Sequence, residues 1–127
     1  MRTLRGEISR DRLREKDQRI RTVQAYALYR MGRKEYLEEV VKALGNRKTH
    51  NEAKQYLVEL RTEEHPDLFE QLRQKDVDVL ESLAEVLGII GDSRAIPHLQ
   101  DLSKDSRGQI TALANQAMRR INARNAG

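Results

Sequence analysis

The chain has no cysteine and no tryptophan among its 127 residues. Without thiols there is no disulfide framework and no thiolate metal site. Phe occurs once, Tyr four times and Pro twice. The alternating Val/Thr/Tyr runs that mark strands are missing. No apolar run approaches the length of a membrane-spanning helix. The opening Met-Arg-Thr-Leu-Arg-Gly-Glu lacks the apolar centre of a signal peptide. These absences point to the cytoplasm.

What is present is charge and helical period. Charged residues make up 35% of the chain and hydrophobic ones 38%. The apolar residues are Leu, Ile, Val and Ala at regular spacings, which argues against disorder. The length allows one domain, 1–127, with a modest core. Segment 3–15 has only Leu4, Ile8 and Leu13 as anchors. Segment 17–31 places Ile20, Val23, Ala27, Leu28 and Met31 on one face, and Gly32 ends it. Residues 34–44 turn Leu37, Val40, Val41 and Leu44 inward. Thr49 or Asn51 is positioned to cap the next helix, which buries Ala53, Tyr56, Leu57 and Leu60. His65-Pro66 opens a short helix carrying Leu68, Phe69 and Leu72. Asp76 caps 77–90, with Val79, Leu80, Leu83, Ala84, Leu87 and Ile90 inward. After Gly91-Asp92-Ser93 comes 94–103, and after Asp105-Ser106 the last helix, about 107–123, with Ile110, Leu113, Ala114, Ala117 and Ile121. Residues 124–127 should fray.

The pattern repeats. Shifted by 30 residues, Phe69, Leu72, Leu80, Leu83, Ala84 and Leu87 fall on Leu99, Leu102, Ile110, Leu113, Ala114 and Ala117. Shifted by 59, Leu28, Gly32, Leu37 and Val40 fall on Leu87, Gly91, Ile96 and Leu99. The match runs through the turns, including acidic ones at Lys75-Asp76 and Lys104-Asp105. On Leu87, Gly88, Gly91, Asp92, Ala95, Leu99, Leu102, Asp105, Ala112, Ala114 and Ala117, the segment from about 66 to 121 resembles HEAT repeats of the short bacterial type.

The resemblance implies an all-α fold: a right-handed stack of antiparallel helical hairpins, about 3.5 of them, spanning 34–61, 66–90 and 94–121 after basic, atypical N-terminal helices at 1–31. It also implies a non-catalytic module that binds a partner protein on its concave helices. The family usually places Val-Arg at the start of each second helix, with the Arg meeting an Asp of the neighbouring repeat. Here those places hold Leu80-Glu81 and Ile110-Thr111, so stacking is expected to rest on apolar contact.

Enzyme chemistry finds little footing. His50, His65 and His98 lack a second histidine three or four residues away, and the His-Glu pairs of the di-iron hydroxylases of this repeat class are missing. There is no Gly-x-Ser-x-Gly elbow and no phosphate-binding loop. Glu81 and Glu85 lie one turn apart, as solvated glutamates commonly do. No catalytic residue, metal site or cofactor is expected. Concave positions opposite the core stripes are Gln24, Arg30, Gln55, Glu59, Asp78, Glu81, Glu85, Asn115, Arg119 and Arg120, and these are the candidate partner-binding residues.

The formal net charge of +4 is uneven. Residues 1–34 carry eleven Lys/Arg against four Asp/Glu, and residues 35–127 carry thirteen against sixteen. The alternative function is therefore nucleic-acid or other polyanion binding through Arg10, Arg12, Arg14, Arg19 and Arg21, with Tyr26 and Tyr29 near Arg21, Arg30 and Arg33 as a basic–aromatic patch. A membrane anchor at 1–22 has too thin an apolar face. A last helix without a strongly polar cap would leave an apolar edge suited to a homodimer.

Overall fold

A computed structural model describes residues 17–126. Among them every regular element is helical: α1 (Gln18–Arg30), α2 (Leu37–Lys42), α3 (His50–Val58), α4 (His65–Glu70), α5 (Val77–Ile90), α6 (Ile96–Leu102) and α7 (Gly108–Ala126). The segment 3–15 lies outside the described residues. Helices α2, α4 and α6 have only six or seven residues, too short to hold alone. Each is preceded by a 3-10 turn, at Lys34–Tyr36, Thr62–Glu64 and Ser93–Ala95. Pro66 and Pro97 sit in first turns, where the missing N–H costs nothing.

The longer helices touch in succession, α1 with α3, α3 with α5 and α5 with α7. The α5–α7 contact is by far the most extensive. In α5, Val79, Leu80, Leu83, Ala84, Val86, Leu87 and Gly88 are all buried. Each large aliphatic side chain removed from water in this way stabilises the fold by about 1.5–3 kcal/mol. Asp76 starts the helix by accepting the Val79 N–H at 3.1 Å. Gly88 is what lets α7 approach: a Cβ there would lie 3.1 Å from Ala117 Cα. Gly32 has φ +101°, the left-handed conformation that ends α1.

Four sequence expectations change. In α1 the inward face is Thr22, Ala25 and Tyr29, while Ile20, Val23 and Met31 are 40%, 44% and 76% exposed. The polar residues turn inward because they bring partners: Thr22 donates to the Gln18 carbonyl at 2.9 Å and Tyr29 to Asp67 at 2.8 Å. Thr49 precedes α3, but its hydroxyl points back to the Ala43 carbonyl at 2.7 Å instead of capping the helix. The last helix does not end at 123. Among the described residues it exposes no large apolar side chain, so the apolar edge expected there is absent.

The fourth change concerns what joins successive helix pairs, which is not apolar contact alone. Two Asp-Ser-Arg turns behave alike. Asp92 accepts the Arg94 N–H at 3.0 Å, and Asp105 the Arg107 N–H at 2.8 Å. Each guanidinium folds onto its own aspartate and also donates to a carbonyl 32 residues earlier, Arg94 to Thr62 at 3.0 Å and Arg107 to Lys75 at 3.2 Å. The Arg107 side chain holds the Asp105 carboxyl down at about 2. Arg124, placed in the tail expected to fray, donates to the Gly88 and Gly91 carbonyls at 2.7 and 2.6 Å. It thereby satisfies one of the orphan acceptors in the last turn of α5 and the carbonyl of the residue that follows it. Arg124→Met keeps the aliphatic length and removes both bonds. It is expected to lower unfolding free energy in urea by about 1–3 kcal/mol, as for lost charge-assisted hydrogen bonds.

Candidate partner-binding groove

One line of α5 stays open: Asp78 and Ile89 are exposed, and Glu81 and Glu85 are half-buried. Their spacing of three, four and four residues is one helical stripe. This stripe borders two cavities. The first, about 310 Å³, is lined by Asp78, Glu81, Ser82 and Glu85 from α5, by Leu113 from α7, and by Leu44 to Arg47 and His50. His50 Nδ1 donates to the Leu44 carbonyl at 2.9 Å, which fixes the ring in the wall. A carbonyl only accepts, so the proton is on Nδ1. The second cavity, about 520 Å³, lies along α3 and is lined by Asn51, Glu52, Lys54, Gln55, Val58 and Ile89. The Lys54–Glu85 ion pair, at 3.5 Å, joins the two.

Of the ten positions picked from sequence, Gln55, Asp78, Glu81 and Glu85 line these cavities. Gln24, Arg30, Glu59, Asn115, Arg119 and Arg120 line neither. Arg30 is engaged elsewhere: its Nη1 donates to both Glu64 oxygens at 2.7 and 2.9 Å. Val58 and Ile89, the apolar part of the groove, escaped the sequence reading because it sought contact residues among polar positions only. Ile89 sits between Gly88, on the α7 face, and the half-buried Ile90, so its outward turn follows from helical period alone.

The basic–aromatic candidates are described only in part. Arg10, Arg12 and Arg14 lie outside the described residues. Arg19 is exposed, whereas Arg21 pairs with Glu39 at 2.9 Å. Tyr29 is 4% exposed. Tyr26 stacks on Tyr56 with centroids 4.5 Å apart, and Arg30 lies 5.9 Å over its ring. Burial raises the ionisation of Tyr26 and Tyr56 above the usual phenol range. Burial raises Tyr29 most, and its hydrogen bond to Asp67 adds to this. Among the described residues no group of three or more His, Cys, Asp or Glu side chains could hold a metal ion. No described helix is long and apolar enough to cross a membrane.

Residues 79–105 match the PBS lyase HEAT-like repeat family. The chain carries a HEAT-like repeat. It runs from the buried stripe of α5 through the Gly91-Asp92 turn and α6 to Asp105, so the turn between α5 and α6 lies at its centre. No curated protein and no solved structure matches the chain.

The Tyr29 hydroxyl gives a pH signature. Its folded-state ionisation lies above the unfolded value of 10.0, so its stabilisation is complete below pH 10 and declines as pH rises further. Between pH 9 and pH 11 the urea midpoint should fall more for the wild-type chain than for Tyr29→Phe, which has no phenol to ionise at this position.

Proposed function

We propose that the chain is a non-catalytic protein-interaction module, with its helices piled as a right-handed HEAT-like stack of about three and a half antiparallel hairpins. The hairpins are 34–61, 66–90 and 94–121, and α1 belongs to the basic opening segment. HEAT-like repeats generally mediate protein interactions and are generally non-catalytic, which supports this reading. The observation that carries it is the open stripe of α5. A helix buried on every other side presents Asp78, Glu81, Glu85 and Ile89 to the groove it shares with α3. Such a surface is rigid before binding, so little ordering cost falls on the protein. A chain without cysteine suits a cytoplasmic adaptor or scaffold. Among the described residues, the exposed large apolar side chains outside the groove are Ile20, Val23 and Met31, in and just after α1.

The polyanion alternative gains no observation. Arg21 and Arg30 are ion-paired, and the groove carries carboxylates that repel phosphate.

Affinity capture from lysate with mass spectrometry tests the reading. The wild-type chain should retrieve a discrete protein, and Ile89→Asp, at an exposed position, should lose it without a change in urea midpoint. Capture that is indifferent to Ile89→Asp would contradict the groove. So would retrieval of nucleic acid that disappears when Arg10, Arg12, Arg14 and Arg19 are neutralised.

A further inference from the structure

The two halves of the groove differ in chemistry. In the first cavity, three carboxylates (Asp78, Glu81 and Glu85) face one guanidinium, Arg47, and the imidazole of His50. Glu85 is matched by Lys54. Asp78 and Glu81 make no ion pair among the described residues. Ser82 lines the same cavity and is only 6% exposed. In the second cavity, Val58 and Ile89 present apolar surface, and Ile89 is 42% exposed.

From Asp78 to Ile89 the stripe covers about 16 Å, roughly three helical turns. An acidic half and an apolar half over that length match one kind of occupant. Building on the interaction-module reading, we propose that the groove holds an amphipathic helix of a partner protein, with Lys or Arg in one half and large apolar side chains in the other. The cations sit against Asp78 and Glu81, where the partly enclosed cavity screens them less than bulk water does. The apolar half covers Val58 and Ile89. Helix-in-groove binding of this type takes its affinity from apolar anchors and its orientation from charge.

Fluorescence anisotropy with the full chain and labelled synthetic peptides tests this. One helical peptide of about fourteen residues carries lysines in one half and leucines in the other. A second has the same composition with the two types interspersed, and a third replaces each lysine by glutamate. The block peptide should bind about tenfold or more tighter than either control, a difference of about 1.4 kcal/mol. Asp78→Asn with Glu81→Gln should weaken it by about tenfold and flatten its salt dependence. Ile89→Ser should weaken it without changing the salt dependence. Equal binding of the block and interspersed peptides, or block binding unaffected by the Asp78/Glu81 variant, overturns the proposal. If Ile89→Asp abolishes capture of a natural partner that the block peptide cannot displace, the interaction reading survives and the occupant assigned here does not.

Discussion

Burial of Val77–Ile90 on all but one line of its surface is the constraint from which the rest follows. Three buried leucines, Leu80, Leu83 and Leu87, with Val79 and Val86, commit this helix to the interior. A helix so placed needs neighbours on several sides. α3 lies on one side and α7 on the other. Gly88 removes the side chain that would keep α7 away, and Arg124, from the end of α7, closes the carbonyl end of α5. The one line left in solvent is the line that borders the groove. Core and candidate site are thus two faces of one element, and the site inherits the rigidity of the core.

Polar contacts set how successive pairs meet. Apolar surface is non-directional and would tolerate sliding between helices. A guanidinium locked onto its own aspartate and aimed at a carbonyl 32 residues earlier does not. The two Asp-Ser-Arg turns, at Asp92 and Asp105, fix the spacing of consecutive turns. The buried leucines of the same pairs provide most of the attraction. The stacked rings of Phe69 and His98, 4.5 Å apart, make a further link between α4 and α6.

The sequence made the second half of the chain readable because its signals agree. In α5 to α7 the apolar period, the Asp76 cap, the Gly91 turn and Pro97 all specify the same boundaries, and Leu83, Leu99, Ile110 and Ile121 are buried as the period requires. The first helix misled because its apolar residues and its buried residues differ. Thr22 and Tyr29 go inside through hydrogen bonds to Gln18 and Asp67, and no periodicity of hydrophobicity encodes a partner 38 residues away. The arginine links escaped for a related reason. An Arg at a turn reads as solvated charge until the fold brings a carbonyl to it, although the doublet of Asp-Ser-Arg was visible as a repeated tripeptide. In the groove, the acidic members of the α5 stripe followed from helical spacing. Val58 and Ile89 escaped because contact positions were sought among polar side chains, although Ile89 lies on the same helical stripe.

Native-state hydrogen exchange tests the central claim most directly, because it reports the opening free energy of each amide. If Val77–Ile90 is the member on which the other helices depend, the amides of Val79 to Gly88 exchange only through global unfolding, with opening free energies equal to the urea value, while those of α1 open at lower cost. Exchange of the α5 amides through smaller openings, with α1 or α7 holding the slowest amides instead, would contradict the account.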